Sequence, residues 1–360
     1  MAQIDAFFKL MNDEGASDLH MVADQQPVLR IRGDMERVKF KVMKNDELKA
    51  MLYEVCPEAK IKVFEETGDI DFGYEIPGLA RYRCNFFNQK NGIGAVFREI
   101  PSDILSVEQL GLPKVISRLA HLPKGLVLVT GPTGHGKSTT LAAIVDEANR
   151  TRKDHILTIE DPIEFVHQSN QCIINHREVG THTKGFSQAL RGALREDPDI
   201  IMVGEMRDLE TMTLAMEAAM TGHLVFGTLH TLNAMKTVDR AIEMFPAHQQ
   251  AQVRSTLADA LRAVVSQTLF KRIDVKGRVA ALEILIATPA VRNMIREAKT
   301  YQIISVMQTG KKYGMATMDD AIMGLLEKRM ISPDDAYSNS IDKSKFVKYL
   351  RKPPSDFTEV

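Results

Sequence analysis

Residues 131–138 have the composition and spacing of a phosphate-binding loop. They read Gly-Pro-Thr-Gly-His-Gly-Lys-Ser, which satisfies the pattern G-x-x-x-x-G-K-[ST] in full. In such a loop the glycines allow backbone N–H groups to turn toward phosphate, the lysine reaches the β- and γ-phosphates, and the final hydroxyl holds Mg²⁺. The pattern therefore predicts binding of ATP and Mg²⁺ by the following residues: Gly131, Pro132, Thr133, Gly134, His135, Gly136, Lys137, Ser138 (the Mg²⁺ ligand) and Thr139.

The segments on either side of the loop support this interpretation. Gly125–Thr130 (GLVLVT) is an apolar run typical of a buried strand, and Ser138–Asn149 has helical spacing of its apolar residues. A strand, a loop and a helix in this order aim a helix N-terminus at phosphate. A glycine-rich turn without a ligand would not need this context.

Acidic or imidazole side chains follow the next three predicted strands. Glu160 and Glu164 follow His155–Ile159, Glu205 follows Asp199–Val203, and His230 follows Leu224–Thr228. In open α/β sheets, ligands bind outside the carboxyl ends of the strands. We therefore expect these side chains to share one site with the loop.

Glu205 is the candidate base of this site. A carboxylate there can orient or deprotonate the water that attacks the γ-phosphate. Gly204 stands where such strands usually carry an Asp. Mg²⁺ usually retains several waters, so Ser138 suffices as a protein ligand, with Glu160 and Glu164 as further candidates.

His223 and His230 are seven residues apart. An odd separation along a strand places two side chains on opposite faces, so a shared metal site is not expected. His230 is the better candidate for contacting the γ-phosphate. His223 has two interpretations, a catalytic one and a structural one beside Gly222 at a helix end.

Arginines form a second group of candidates. Alternation along Arg81–Phe86 places Arg83 on the polar face of a strand, and Arg98 belongs to the next predicted strand, Gly94–Ile100. A four-residue loop pairs Arg83 with Arg98, whereas a two-residue turn at Asn91-Gly92 pairs Arg98 with Asn85. Like charges so close are unfavourable unless an anion lies between them. The pair is therefore either a nucleotide clamp or two solvated side chains.

Arg191, Arg195 and Arg207 are the candidates in the second half of the chain. Arg191 and Arg195 are one helical turn apart, and Arg207 follows Glu205. An arginine supplied across a subunit boundary can raise the rate of phosphoryl transfer by ~10³–10⁵. This logic predicts an oligomer.

Composition excludes several classes of protein. The 360 residues are 44% hydrophobic and 26% charged, with a net charge of −1. This predicts a folded protein and gives no support to nucleic-acid coating. The cysteines Cys56, Cys84 and Cys172 are too widely spaced for a zinc knuckle or a disulfide framework. No signal peptide or transmembrane run is expected, so a cytoplasmic location fits best.

The chain divides into regions with different patterns. Residues 1–100 are expected to form an α+β domain whose first helix ends near Gly15, and 101–113 a linker. Residues 114–360 alternate strands and helices, which predicts a parallel sheet, and become helical from about 287. The other predicted elements are strands Val28–Arg32, Ile70–Tyr74, Ala80–Phe87 and Val279–Leu285 and helix Asp46–Val55.

Taken together, these motifs resemble the secretion ATPases of type II and type IV pilus systems, over essentially the whole chain. The motifs that carry the resemblance are Ala16–His20 (ASDLH), the phosphate loop, Thr158–Glu164 (TIEDPIE), Arg195–Asp208 (REDPDIIMVGEMRD) and Thr221–Thr231 (TGHLVFGTLHT). The family implies a hexameric ring with an N-terminal PAS-like domain and a RecA-like motor domain. It also implies that Glu205 is the catalytic glutamate and that His223 and His230 are paired in function. The arginines implied to contact nucleotide are Arg83, Arg98, Arg191, Arg195 and Arg207.

Within the family, the resemblance points to pilus retraction. The tetracysteine zinc motif of assembly ATPases is missing, and Ala290–Glu297 (AVRNMIRE) is similar to a signature of the retraction group. The implied partner is an inner-membrane platform protein, which would hold the motor at that membrane. An accessory or assembly ATPase, a RecA-like DNA motor and a regulatory module without turnover are the alternatives.

His135 is a departure from the family, whose loop usually has Ser at this position. Two interpretations follow for its side chain. It either points to solvent or, when protonated, adds a contact to phosphate, since an ordinary histidine titrates near ~6.5.

Overall fold

The computed structural model describes residues 2–31, 33–100 and 103–352, which form two compact units. The first contains the described residues up to Asp103 together with Pro162–Val166. The second contains Ile104–Asp161 and the described residues from His167 onward. The predicted domain boundary near residue 100 stays a prediction, and residues 101–102 of the predicted linker lie outside the described residues.

The first unit is an antiparallel sheet covered by helices. Its elements are α1 (Asp5–Glu14), β1 (Ala16–Val22), β2 (Val28–Ile31), β3 (Asp34–Arg37), α2 (Asn45–Tyr53), α3 (Glu58–Thr67), β4 (Asp69–Ile76), β5 (Ala80–Gln89) and β6 (Gly92–Ile100). Within the described residues the strand order is β3-β2-β1-β6-β5-β4. Alternation along the strands turns one face to the core, where Phe8 stacks on Tyr82 at 4.2 Å between ring centroids.

The sequence prediction for this unit missed three elements, β1, β3 and α3. In β1, Asp18 and His20 interrupt the apolar pattern, and β3 is exposed along its whole length. In α3 a single residue, Phe64, is buried, so charged residues hide the helical period. Arg32, the last residue of the predicted strand Val28–Arg32, lies outside the described residues.

The second unit is a predominantly parallel sheet between layers of helices. Its strands are β7 (Gly125–Thr130), β8 (His155–Glu160), β9 (Ile173–Glu178), β10 (Ile200–Val203), β11 (Leu224–Leu229), β12 (Leu261–Lys271) and β13 (Arg278–Ile286). Its helices are α4 (Lys114–Leu119), α5 (Lys137–Thr151), α6 (Phe186–Ala193), α7 (Leu209–Thr221), α8 (Ala234–Glu243), α9 (Gln250–Ala260), α10 (Pro289–Arg296), α11 (Ile303–Thr309), α12 (Met318–Glu327), α13 (Pro333–Asn339) and α14 (Ser344–Val347). Short 3₁₀ turns occur at Ala247–Gln249, Thr300–Gln302 and Lys311–Tyr313.

The strand order in the described part of this sheet is β13-β12-β7-β11-β10-β8-β9. All neighbours pair in parallel except β12 and β13, which confirms the predicted α/β class with a parallel sheet. Every residue of β7 and of β11 is buried, because helices cover both faces of the sheet. Strand β7, which leads into the phosphate loop, thus lies between β12 and β11.

Two strands of this sheet were not predicted. Strand β9 (IINHRE) has neither an apolar run nor alternation. Strand β12 (LRAVVSQTLFK) follows α9 without a break, so its start carries no turn signal. The region after Ile286 is helical up to residue 352, apart from a single bridge between Ala316 and Ile284 among the described residues; residues 353–360 lie outside them.

Candidate functional site

The phosphate loop joins the carboxyl end of β7 to the start of α5. Three glycines in it have φ in the left-handed region, namely +140° at Gly131, +79° at Gly134 and +81° at Gly136. A Cβ on Gly131 would lie 2.3 Å from the backbone oxygen of Gln267, so no other residue fits there. Helix α5 begins at Lys137, and its first N–H groups and positive dipole end face the loop.

Lys137 is buried inside the loop. Its Nζ donates to the carbonyl oxygens of Gly131 at 2.9 Å and Pro132 at 3.0 Å, and it lies 3.4 Å from Nδ1 of His230. Burial lowers the pKa of the Lys137 ammonium, and the nearby charge of Glu205 opposes that shift in part. The other loop side chains are more open: Thr133 is exposed, while Pro132, Ser138 and Thr139 are partly buried.

Glu205 lies beside this lysine, as the strand-end pattern predicted. Its Oε1 accepts from Nε2 of His230 at 2.7 Å and pairs with Nε of Arg207 at 2.5 Å. Burial would raise the pKa of Glu205, but the hydrogen bonds from Arg207 and His230 outweigh it, and the pKa is lowered. Glu205 is therefore ionised at neutral pH.

The predicted convergence of Lys137, His230 and Glu205 is present in this chain. His230 follows β11 and bridges the other two side chains: Nε2–H donates to Glu205, while Nδ1 faces the Lys137 ammonium. Because an ammonium can only donate, the contact with Lys137 is a hydrogen bond in the tautomer that carries its proton on Nε2. The three groups come from the ends of strands that are neighbours or next neighbours in the sheet.

Gly204 stands in place of the usual Asp because its surroundings leave little room for a side chain. A Cβ there would lie 3.2 Å from the carbonyl oxygen of Ile159 and 3.4 Å from Cγ of Glu160. The Gly204 carbonyl accepts from the hydroxyl of Thr228 at 2.5 Å. The β8, β10 and β11 strand ends are thus tied closely together.

The two acidic candidates after β8 lie in different units. Glu160 ends β8 and is buried in the second unit. Glu164 belongs to the segment that packs with the first unit, where its carboxylate lies 3.8 Å from Arg83. The sequence offers both as catalytic candidates and as further candidate ligands of Mg²⁺, and both roles stay predictions.

His223 does not lie with His230, because it precedes β11 whereas His230 follows it. Its backbone N–H and Nδ1 both lie within hydrogen-bonding distance of the carbonyl oxygen of Ala218, at 3.1 Å and 3.0 Å. This agrees with the expectation that the two histidines do not share a site. In this chain His223 thus lies beside the end of α7, and its functional role stays a prediction.

The His135 side chain is turned toward β12 rather than simply to solvent, and the contact of its protonated form with phosphate stays a prediction. Its Nδ1 accepts the backbone N–H of Leu269 at 3.2 Å, and its carbonyl accepts from Nε2 of Gln267 at 2.7 Å. Burial, followed by the charges of Lys137 and Arg278, lowers the pKa of His135. The side chain is thus a neutral acceptor that holds the loop against β12.

The arginines of the first unit pair in the first of the two predicted registers. Arg83 lies opposite Arg98, although the turn has two residues, 90–91, because the strands extend to Gln89 and Gly92. Each arginine has a carboxylate partner within the first unit, and the choice between a nucleotide clamp and solvated side chains stays open. Arg98 donates from Nε to Asp18 at 2.8 Å, and Arg83 lies 3.5 Å from Asp71. Arg98 remains 67% exposed while Asp18 is 4% exposed.

The arginines of the second unit are dispersed. Arg207 contacts Glu205, and Arg191 pairs with Glu210 at 2.5 Å. Arg195 lies just beyond the end of α6 and is exposed. Only Arg207 thus touches the cluster around Lys137 among the described residues.

Neither a metal cluster nor a membrane helix is found in the part of the chain that the structure describes. No group of three or more His, Cys, Asp or Glu residues there has the geometry of a metal site. No helix there is both long and apolar enough to cross a membrane. The three cysteines are free and buried.

Comparison with known proteins places this geometry in a family. The family described as "Type II/IV secretion system protein" matches residues 3–331. The chain belongs to this family. The "Type IV pilus retractation ATPase PilT" of Pseudomonas aeruginosa is 55% identical over 323 residues, which cover 90% of this chain and 94% of the relative. A "Twitching motility protein" of Neisseria gonorrhoeae is 53% identical, over 86% of this chain and 83% of the relative.

A solved structure agrees with this secretion-ATPase assignment. The crystal structure of the pilus retraction motor PilT with bound ADP has a TM-score of 0.88 and 44% identity. The match covers 96% of this chain and 98% of that one. The α/β fold predicted from the resemblance is thereby confirmed as the type II/IV secretion ATPase fold.

Sequence reasoning missed the residues on the β12 side of this ATPase loop. Ser266 bonds to Thr130 at 2.8 Å between hydroxyl oxygens, and Gln267 contacts the loop itself. Thr237 of α8 continues the buried hydroxyl chain from Thr130 to Thr231, which follows His230. Neutral polar residues inside an apolar run were the available signal, since a buried polar group needs a partner.

Proposed function

We propose that this chain is a Mg-ATP-hydrolysing motor that powers type IV pilus retraction as a homohexamer. The observation that carries the proposal is the linked set Lys137, His230 and Glu205 at the mouth of a complete phosphate loop. It occurs in a chain that is 55% identical to a pilus retraction ATPase over 90% of its length.

The chemistry proposed for this site is ATP hydrolysis. Water attacks the γ-phosphorus, the bond to the β–γ bridging oxygen breaks, and ADP and phosphate leave. Glu205 orients the water and accepts its proton, a role for which its carboxylate must be ionised at neutral pH. Lys137 exchanges its hydrogen bonds to the Gly131 and Pro132 carbonyls for contacts with phosphate oxygens. His230 holds the Lys137 and Glu205 side chains in their positions relative to each other.

The residues present fit nucleotide and Mg²⁺. The glycines of the loop leave a cradle that a Cβ would fill, and Ser138 stands in the first turn of α5, where a hydroxyl can hold the ion. Glu160 is a buried carboxylate at the adjoining strand end and is kept as a further candidate ligand. When bound, Mg²⁺ neutralises charge on the phosphates.

A ring would complete the site with arginines. We propose that Arg83 and Arg98, and the motor arginines Arg191, Arg195 and Arg207, bind nucleotide within or across subunits. Exposure of Arg195 and Arg98 favours this role, because a guanidinium that reaches a neighbour must be accessible. His223 is kept as a candidate for contact with a neighbouring subunit, since its own chain places it away from Lys137.

The partner proposed for the ring is an inner-membrane platform protein of the pilus. The N-terminal unit, proposed to be PAS-like, would move against the motor unit during turnover and so shift the platform. The motor would act in the cytoplasm at the inner membrane, and no nucleic acid is expected to take part.

Phosphate release, native mass and the phenotype of a gene deletion test this function. Purified protein should release phosphate from ATP only with Mg²⁺, and its native mass should be that of six chains. Deletion of the gene in its host should give hyperpiliated cells that do not twitch. Bald cells would indicate an assembly ATPase, while normal twitching would indicate an accessory one. DNA-stimulated turnover would favour a DNA motor, and ATP binding without phosphate release would favour a regulatory module.

A further inference from the structure

Gln267 is a buried amide that joins the phosphate loop to the helix behind it. The residue lies on β12 and is 3% exposed. Oε1 accepts from the hydroxyl of Thr140 in α5 at 2.6 Å, and Nε2 donates to the carbonyl oxygen of His135 at 2.7 Å. A buried amide that spans two elements by both of its ends fixes their separation.

The strand register places this amide beside the loop. Strand β12 pairs in parallel with β7 up to Ser266 opposite Thr130, the last residue before the loop. From there β7 turns into the loop while β12 continues to Lys271. The backbone oxygen of Gln267 lies where a Cβ of Gly131 would clash, so the two chains are in close contact.

The bond to His135 also determines where the next N–H group points. In a trans peptide the C=O of one residue and the N–H of the following residue point in opposite directions. Because Gln267 holds the His135 carbonyl toward β12, the Gly136 N–H is directed away from β12 and into the loop. No backbone hydrogen bond uses the Gly136 N–H within the described residues.

Gln267 also limits the residue at position 136. A Cβ on Gly136 would lie 2.7 Å from Nε2 of Gln267 and 3.3 Å from Cδ1 of Leu269. Gly136 also has φ of +81°, a backbone conformation that favours glycine. Glycine is therefore required at this position both by the backbone and by the neighbouring Gln267 amide. The amide and the glycine thus act as a matched pair.

We infer that Gln267 is a positioning residue for nucleotide binding, which orients the Gly136 N–H toward the phosphate chain before the nucleotide arrives. The inference rests on the proposed ATP-binding function and adds a residue to it. N–H donors that are already oriented bind phosphate more tightly, because the entropy cost of ordering the loop is not incurred when the nucleotide binds.

The test compares two substitutions of Gln267 with a matched control. Gln267→Glu keeps the acceptor for Thr140 but replaces the donor to His135 by an oxygen. Gln267→Met removes both bonds at similar volume. Thr268→Val is the control, because its side chain lies on the other face of the same strand. The measurements are the Kd of a fluorescent ADP, kcat and KM for ATP, and Tm without nucleotide.

We expect both Gln267 variants to unfold cooperatively and to bind ADP about ten-fold more weakly, equivalent to ~1.4 kcal/mol. KM for ATP should rise in parallel while kcat changes by less than about three-fold, since Glu205 and His230 are untouched. Thr268→Val should keep both constants within about two-fold of the original chain.

Two results would overturn the inference. One is an ADP Kd within two-fold of the original chain in both Gln267 variants. The other is loss of cooperative unfolding in both, which would mean that the amide holds the fold rather than the loop. Absence of ATP turnover in the unsubstituted chain counts against the proposed function alone, because ADP binding is measured without turnover.

Discussion

On the β12 side of β7 the phosphate loop is held mostly by neutral groups, with Arg278 at 3.5 Å from the Gly134 carbonyl as an exception, whereas on the side of β11 and β10 it meets a cluster that contains the charges of Glu205 and Arg207. Gln267 and the Leu269 N–H hold the loop through partly buried hydrogen bonds, to the His135 carbonyl at 2.7 Å and to its Nδ1 at 3.2 Å. Across the loop, Glu205 is held by His230 and Arg207, which are 45% and 76% exposed. We call these the neutral flank and the ionic flank of the loop.

The difference between the neutral flank and the ionic flank corresponds to two tasks, nucleotide binding and turnover. Neutral, buried hydrogen bonds have one good geometry and are costly to break without replacement, so they suit a part that must stay in place. Charges near solvent can exchange partners at little cost, because water and other ions replace what is lost. The neutral flank should therefore govern binding, while the ionic flank should govern turnover.

Glu205→Gln should produce the largest effect on the ionic flank. Loss of the base is expected to lower kcat by ~10²–10⁴ while the ADP Kd changes by less than about three-fold. Phosphate release and fluorescent ADP binding measure the two quantities. Glu243→Gln, an exposed acid at the end of α8, is the matched control. Normal turnover in Glu205→Gln would show that Glu205 is not the catalytic base. The proposed division, in which the ionic flank governs turnover and the neutral flank governs binding, would then fail.

His230→Asn comes next in expected size. Its shorter side chain cannot bridge Lys137 and Glu205, so kcat should fall by about 10–100-fold, as for loss of one positioned group. The effect on KM should be smaller, because the loop keeps its bonds to the neutral flank. Steady-state kinetics decide between these outcomes. A rise in KM with an unchanged kcat would assign His230 to binding and contradict the division.

The ionic flank could be predicted from sequence and the neutral flank could not. Glu205 and His230 directly follow strands with clear apolar runs, and parallel strands bring such ends to one edge of the sheet. Gln267 lies inside β12, a strand whose start is hidden because it continues from α9. The partners of a buried amide depend on register, and no local pattern specifies which loop lies beside it.

The histidines and arginines show the same dependence on strand position. His223 and His230 bracket one strand, and because ligands bind at the carboxyl ends of parallel strands, the sequence could favour His230 as the one near the loop. Arg83 and Arg98 were paired correctly by strand arithmetic. Their carboxylate partner Asp18 comes from β1, a strand that polar residues concealed.

Arg207→Ala should shift the pH dependence of turnover by a smaller amount. Because the bond from Arg207 lowers the pKa of Glu205, its removal should raise that pKa toward the ordinary value. The acid limb of kcat/KM should therefore move to higher pH, with little change near pH 8. The stability contributed by the ionised Glu205 is lost as pH falls through its folded pKa, and in the variant this loss should begin at higher pH. A pH profile that does not move would show that Arg207 leaves the base unaffected.

His135 provides the smallest and most specific test, on the neutral flank. Its lowered pKa means that the folded chain keeps this histidine neutral below ~6.5, where an unfolded one takes up a proton, so stability should fall as pH drops from there toward the folded pKa. Protonation at Nδ1 would also release the Leu269 N–H and loosen the loop. We therefore expect KM for ATP to rise at acid pH. Between pH 8 and pH 6 this rise in KM should be smaller than it would be for a histidine with an ordinary pKa.

In His135→Asn, whose Oδ1 can accept the same N–H without titrating, KM should stay constant as the pH falls. In His135→Ser it should be raised by a few-fold at every pH, as for one lost hydrogen bond. If instead the unsubstituted chain binds ATP more tightly as the pH falls, His135 contacts phosphate in its charged form and is not a neutral part of this flank.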